Sequence, residues 1–187
     1  MSPPSHDRSG PSVVAVLAAL LATHLAGMGA FLAVPVLAPL IGASTGLPPS
    51  LAGLHTSLVY AGTLASAPLT GALIARYGAV RLLQMCLAVI AAGLALATLG
   101  PIWALALSAL VCGVGHGPLT PSGSQVLHAR APARRRSLVF SIKQTGVPAG
   151  AALIGAAAPV LAVAFGWRGA VFAVAAFGLA VAFGLAP

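Results

Sequence analysis

The side chains best suited to chemistry in this sequence lie within long apolar stretches. They are His24, His116, Thr120, Ser124, Lys143 and Gln144. An imidazole exchanges protons near neutral pH and an ammonium attracts negative charge, so this set is typical of a site that binds a polar solute. The only acid in the chain, Asp7, precedes the apolar stretches. The stretches therefore contain no carboxylate, which favours an anionic substrate over a cationic one.

The elements that position these side chains are predicted to be membrane helices. Of the 187 residues, 59% are hydrophobic and 5% are charged, and the mean hydropathy is +1.05, whereas an average soluble domain has about a quarter of its residues charged. The apolar runs reach the roughly twenty residues that cross a bilayer. No run alternates with a period of two, as the strands of a membrane barrel would. The composition therefore indicates an all-α integral membrane protein.

Breaks rich in glycine, proline, serine and arginine divide the chain into six predicted transmembrane helices. The predicted spans are 13–40, 51–73, 82–99, 102–126, 138–165 and 170–185. They follow a predicted cytoplasmic tail, 1–12, and together form one transmembrane domain, 13–187. The intervening loops are too short to hold a soluble domain.

The net charge of +8 comes from cations that mark one side of this domain. Arginines precede the first span and fill the second and fourth loops, whereas the other side has only Arg168. The positive-inside rule then places both termini in the cytoplasm of a multi-pass protein of the inner or plasma membrane. The alternative, a cleaved signal peptide, conflicts with the length of the first run. The basic run Arg134–Arg136 is accounted for by orientation, so we expect the lipid bilayer, and no nucleic acid, as a partner.

Polar residues within spans are functional candidates because their burial in lipid is costly. His116, Thr120 and Ser124 recur every four residues, which predicts one helical face, although two prolines distort the stretch. Each histidine either bonds a neighbouring helix or contacts substrate. Lys143 either extends to the cytoplasmic interface or faces a cavity. The sequence leaves both alternatives open.

The loop between the second and third spans, "GALIARYGAVR", has the form G-x-L-x-x-R-x-G-x-x-R from Gly71 to Arg81. It resembles the signature loop of the major facilitator superfamily, G-x-L-[AG]-D-[RK]-x-G-[RK]-[RK], at the location which that family uses. The resemblance implies that Gly71, Arg76, Gly78 and Arg81 form a conformational-switch loop, which holds two halves together and releases them during alternating access. Ala75 stands where the family has an acid, which weakens the electrostatic part of this contact. Physically, Gly71 permits close helix approach and Gly78 a tight turn.

The second half of the chain extends the resemblance. A basic loop is followed by a fifth span whose Gly146, Gly150 and Gly155 predict one small helix face, and "GWR" precedes the sixth span. Facilitators consist of two six-helix halves, each made of two three-helix inverted repeats. Because this chain ends after the sixth predicted span, the resemblance implies an N-terminal half, whether a fragment, a split half or a natural half-size protein.

The resemblance also implies a function and partners. It implies transport of a small-molecule solute, with the first and fourth spans bordering the cavity and the second and fifth beside them. The six polar residues named first are then candidate cavity residues. The missing partner would be a second six-helix half: a missing C-terminal half of the same protein, another chain or a second copy. Nothing in the sequence indicates a cofactor or a metal site.

Other functions and reactive groups receive less support from the sequence. A non-transporting assembly or sensor subunit is one alternative. An intramembrane serine protease would use Ser122 or Ser124 with a histidine base on another span. The sixth span, where such proteases place that base, has no histidine, so we do not expect an enzyme. Cys86 and Cys112 fall within spans, which predicts buried free thiols.

Overall fold

A computed structural model describes residues 12–185, and every regular element among them is a helix. The α-helices are α1 (Val13–Thr45), α2 (Leu51–Ser66), α3 (Thr70–Tyr77), α4 (Ala79–Ala97), α5 (Ile102–His116), α6 (Leu119–Arg130), α7 (Arg136–Gln144) and α8 (Gly146–Gly184). Short 3₁₀ turns, Ala67–Leu69 and Ala133–Arg135, precede α3 and α7. The predicted tail, with Arg8 and Asp7, lies outside the described residues except for Ser12, whose hydroxyl accepts from the Ala15 amide and caps α1.

Within residues 12–185, five helical segments are long and apolar enough to cross a membrane. They are Val13–Thr45, Leu51–Tyr77, Ala79–Ala97, Ile102–Arg130 and Arg136–Gly184. Prolines account for two of the breaks inside these segments, because Pro118 and Pro148 lack the N–H that an uninterrupted helix would use. The backbone at Gly117 and Pro118 keeps helical dihedral angles, so α5 and α6 continue in nearly one direction.

The last segment, with 49 residues, is far longer than a single membrane crossing of roughly 20 residues. Gly166 interrupts it with φ 71° and ψ 167°, a conformation that glycine adopts readily and other residues do not. Contacts show that the chain reverses there. Gly146 lies against His24 of α1, Trp167 bonds Ser44 near the other end of α1, and Ala182 returns to Gln84 at the start of α4.

The bundle therefore has two distinguishable ends. The arginine end carries the described cations at the α3–α4 and α6–α7 connections: Arg76, Arg81, Arg130, Arg134, Arg135 and Arg136. The opposite end carries the end of α1, the end of α4 and the reversal at Gly166. Two large apolar clusters fill most of the interior, one around Leu20, Leu83 and Leu127 toward the arginine end and one around Leu37 and Val171 toward the opposite end. A smaller cluster contains Phe31, Val59 and Ala109.

Glycines bring α8 close to α1. A Cβ built at Gly146 would lie 2.8 Å from His24 Cβ, and one at Gly150 would lie 3.0 Å from Met28 Cβ and from the Leu25 carbonyl oxygen. Gly155, which the sequence places on the same face, has nothing within 4 Å. The prediction was therefore wrong for Gly155, because nine residues at about 100° each turn it half a revolution from Gly146.

A second close approach joins α2 to α5. A Cβ at Gly113 would overlap the Val59 carbonyl oxygen, and one at Gly62 would overlap the Leu110 carbonyl oxygen. The Thr63 hydroxyl also donates to the Gly113 carbonyl at 3.2 Å. Small residues at membrane helix contacts let backbones approach and gain dispersion energy. These two glycines therefore hold α2 on α5 at backbone distance.

Side chains fasten both ends of the final helical stretch. At the opposite end, Trp167 Nε1 donates to Ser44 Oγ at 2.7 Å, Arg168 Nε donates to the Thr98 carbonyl at 2.8 Å, and the Arg168 guanidinium lies 4.5 Å from the centre of the Trp167 ring. At the arginine end, Gln84 Nε2 donates to the Ala182 and Leu185 carbonyls at 3.2 and 2.6 Å. The last carbonyls of a helix have no partner within it, so Gln84 acts as a cap.

The two cysteines are buried and free, as the sequence predicts. Cys112 Sγ contacts the Ile90 carbonyl at 3.6 Å, which fastens α5 to α4.

Candidate substrate-binding site

The Lys143 side chain is the largest fully buried one in the described chain, with 1% of its surface exposed. It lies in the last turn of α7, two residues before Thr145 at the α7–α8 junction. Its Nζ donates to Ser124 Oγ at 2.8 Å and to the Thr120 carbonyl at 3.3 Å. The ammonium is thus held against α6 and is not extended to the arginine end.

Helix α6 is well suited to receive this cation. Ser124 Oγ donates to the Thr120 carbonyl at 2.9 Å, one turn earlier, and so directs a lone pair toward Lys143. The Phe140 ring adds a distant cation–π contact, 5.9 Å from Nζ to the ring centre. Two of the three ammonium protons therefore have acceptors.

His24, on α1, is 2% exposed. Its Nδ1 contacts the Leu20 carbonyl at 2.8 Å. A carbonyl only accepts, so Nδ1 carries the hydrogen, and Nε2 is the basic nitrogen when the ring is neutral. Among residues 12–185, no group forms a hydrogen bond with this buried Nε2.

Gly123 separates His24 from Lys143. A Cβ built there would lie 3.4 Å from Lys143 Cε, 3.5 Å from His24 Cε1 and 3.3 Å from Leu20 Cδ2. The lysine stem and the imidazole thus meet across one bare backbone position. Gly146 of α8 lies against the Cβ of His24. The cluster of Lys143, Ser124, Thr120, His24 and Gly123 is named the cation cluster below.

The other two candidates lie outside the cation cluster. The His116 ring packs against Phe31, with ring centres 5.3 Å apart, and Phe31 in turn meets Tyr60 edge to face. The described contacts of His116 are therefore with α1 and not with Thr120 or Ser124. Gln144 is exposed, although the preceding Lys143 is buried.

No carboxylate lies near the cation cluster in the described part of the chain, which contains neither aspartate nor glutamate. An unpaired charge in an apolar interior is costly unless an opposite charge or several hydrogen bonds compensate it. Here a hydroxyl and a carbonyl provide partial compensation. An anion is the group that would complete it.

The contact between Ser124 and Lys143 also has the composition of a serine–lysine catalytic pair, but its hydrogen bonds run the other way. In such a pair the amine accepts the hydroxyl proton. Here the ammonium donates to Ser124, and the hydroxyl proton is directed to the Thr120 carbonyl. Ser122 Oγ is buried, and the described residues offer it no base. This geometry does not activate a nucleophile.

The loop from Gly71 to Arg81 lies at the arginine end. Gly78 has φ 82° and joins α3 to α4, which accounts for glycine there. Arg76 lies 5.3 Å from the centre of the Tyr77 ring, and Arg81 is exposed in the first turn of α4. The close helix approach expected at Gly71 is absent among the described residues, since a Cβ there would meet nothing within 4 Å.

Comparison with known families decides the class of protein. The model of the Major Facilitator Superfamily matches residues 19–187, which includes all the residues of the cation cluster and the loop. The chain belongs to the Major Facilitator Superfamily. It is therefore a multi-pass membrane protein of the facilitator transporter type. No curated protein sequence matches this facilitator.

Sequence reasoning did not identify Gly123 or the Leu20 carbonyl as parts of the site. Gly123 is visible only as a glycine between Ser122 and Ser124 in "PSGS". Its importance depends on which helices face it, and no local pattern reports that.

Proposed function

We propose that this facilitator moves a small anionic solute across the membrane by alternating access, and that Lys143 contacts the solute. The observation that carries this proposal is a buried ammonium with no acidic partner in the described chain. Thr120 and Ser124 hold the charge in place, and the solute supplies the missing negative charge. His24, His116 and Gln144 are further candidate cavity residues.

The transmembrane domain, 13–187, is proposed to contain six spans arranged as two three-helix inverted repeats. The reversal at Gly166 supports two spans within Arg136–Gly184, and the uneven distribution of arginines supports cytoplasmic termini. The inner or plasma membrane is the proposed location.

The topology is testable with single cysteines. Ser50 lies between α1 and α2, and Ser137 lies in the first turn of α7 at the arginine end; both are exposed. Ser50→Cys is expected to react with an impermeant thiol reagent outside intact cells, and Ser137→Cys only after the membrane is opened. The unaltered chain is the control, because Cys86 and Cys112 are buried. Equal labelling of both variants from outside would contradict the proposed orientation.

A second six-helix half is proposed to cover this one. Several polar side chains on the predicted spans are exposed, among them Tyr60, Thr120, Gln144 and Thr145. Lipid offers such groups no hydrogen-bond partners, whereas an opposing half with a polar cavity does. That half can be a further part of the same protein, a separate chain or a second copy, and its source decides the functional assembly.

Arg81 is proposed to act in switching and not in solute binding. A cation in the first turn of a helix opposes the helix dipole by about 0.3–1 kcal/mol, so the stability of α4 does not explain Arg81. Replacing Arg81 with Gln in the assembled transporter should slow turnover severalfold and leave solute affinity unchanged, as initial rates and binding would show. Arg134→Gln, which removes an exposed charge at the same end of the bundle, is the matched control. A large affinity loss with an unchanged maximal rate would instead place Arg81 in the binding site.

The transport function is tested by flux. Vesicles containing this chain, alone and with a candidate second half, would be loaded with small organic and inorganic anions, and counterflow of the labelled anion would be followed. Saturable exchange of at least one anion supports the proposal. Exchange confined to cations or neutral solutes would overturn the assignment of the substrate class.

A further inference from the structure

The cation cluster contains two unsatisfied groups with complementary properties. Lys143 Nζ has one proton beyond those donated to Thr120 and Ser124. His24 Nε2 is a buried basic nitrogen without a partner in the described chain. Both side chains border the same backbone position, Gly123. A ligand placed there would meet one group that always donates and one that donates only after it gains a proton.

We propose that the anion of a weak acid binds between Lys143 and His24 and enters together with one proton, which His24 Nε2 takes up. This inference deepens the anion transport proposed above and rests on it for its physiological direction. When the proton arrives, a new N–H bond forms at Nε2 and Nδ1 keeps its bond to the Leu20 carbonyl. The anion and the proton together add no net charge to the buried site, which removes most of the cost of bringing an ion into the membrane.

A compact carboxylate fits the two donors better than a single-atom ion does. Its two oxygens can accept one hydrogen bond each from donors on different helices, here α7 and α1. The room beside these two side chains is limited, because even a Cβ at Gly123 would already contact Lys143 Cε at 3.4 Å and His24 Cε1 at 3.5 Å. The ligand is therefore expected to be small near its charged end.

The other described groups around His24 are not placed to take up a proton beside Lys143. From the elements packed near it, the titratable side chains are Lys143 of α7, His116 of α5 and the buried thiol of Cys86 in α4. Helix α6 presents the Ser124 hydroxyl and the Thr120 carbonyl, and α8 presents Gly146. The His116 ring packs against Phe31, and none of its described contacts is with Lys143. Within residues 12–185, His24 is thus the basic group placed to act with Lys143.

The single lysine of the chain provides a direct readout. Full-length protein labelled with ¹⁵N-lysine and held in nanodiscs has one side-chain amine signal, from Lys143. Sodium acetate is expected to shift this signal saturably, with an affinity about tenfold higher at pH 5.5 than at pH 8, because one charge-assisted hydrogen bond is gained. Acetamide, which has the same shape without the charge, should cause no shift.

Two variants separate this inference from an unspecific charge effect. His24→Gln should abolish the pH dependence and leave only the weak binding seen at pH 8, whereas His128→Gln, at an exposed histidine of α6, should keep it. Gly123→Ala should weaken acetate binding by placing a methyl group between the donors, and Gly155→Ala, where a Cβ meets nothing within 4 Å, should not. Thermal melting of each variant verifies that it is folded.

Any of three results would overturn the inference. Acetate binding that is equal at both pH values, that persists unchanged in His24→Gln, or that fails at both pH values excludes His24 as the proton-dependent ligand. Counterflow of an anion in vesicles would remain a separate result, so the failure of this inference and the failure of the proposed transport function are distinguishable.

Discussion

Replacing Gly113 with leucine is expected to separate α2 from α5 and to leave little folded protein. Even the first carbon of a side chain at this position would overlap the Val59 carbonyl oxygen and would lie 2.9 Å from the Thr63 amide nitrogen. Backbone atoms of a neighbouring helix cannot rotate away as a side chain can. The hydrogen bond from Thr63 to the Gly113 carbonyl would also be broken.

Alanine and leucine variants at position 113 measure how far a side chain there destabilises the contact of α2 with α5. Gly113→Ala should lower stability by about 1–3 kcal/mol through overpacking, although alanine by itself favours a helix by about 1 kcal/mol over glycine. Gly113→Leu should lose most of the monodisperse protein on size exclusion in detergent. Gly53→Ala and Gly53→Leu, on the exposed side of α2, should melt like the unaltered chain. Similar melting of the Gly113 and Gly53 leucine variants would contradict the close contact of α2 with α5.

Removing the charge of Lys143 is expected to have the largest effect on transport. In an assembled, active transporter, Lys143→Gln should lower the transport efficiency for an anion (maximal rate divided by KM) by about 30-fold or more. Removing one partner of a buried charge pair costs about 2 kcal/mol or more. Lys143→Arg should keep part of the activity, since it keeps the charge but changes the bonds to Thr120 and Ser124. Initial rates of labelled anion uptake measure both.

A surface cation controls for the loss of charge alone. Arg134 is exposed at the arginine end, and Arg134→Gln removes the same charge without touching the cation cluster. Its anion uptake should stay within about twofold of the unaltered transporter. Normal uptake by Lys143→Gln would refute the role proposed for this lysine. So would thiol-reagent accessibility of a cysteine at position 143 that shows this position facing lipid.

The sequence predicted the broad architecture because membrane burial leaves long, simple patterns. Hydrophobic runs, glycine and proline breaks and the signature loop indicated a helical facilitator, and Gly78 has the positive φ that its turn requires. The first helix continues to Thr45, beyond the predicted end at 40. Apolar side chains do not mark where a helix stops. The end of α1 depends on Gly46, which follows it in a left-handed conformation.

The arrangement of the site was less predictable, because it depends on which helices face one another. Ser124 and Lys143 are separated by 19 residues and an arginine-rich connection, so no local periodicity relates them. The same spacing that relates Thr120 to Ser124 also predicts His116 on their face, but the contact of His116 with Phe31 depends on α1 and could not be predicted from that spacing. Gly123 and Gly155 are equally ordinary in sequence, yet only Gly123 lies beside both Lys143 and His24.

The fastening of the chain reversal by Trp167 and Arg168 has a consequence for biogenesis. These side chains bond Ser44 and Thr98, which are made 123 and 70 residues earlier. During synthesis, Ser44 and Thr98 therefore lack these bonds until Trp167 and Arg168 have been made. The two bonds can form only when both earlier helices are already inserted in their native places. A nascent chain that stops before Trp167 would lack both bonds, and the ends of α1 and α4 would not be held to the final helical stretch.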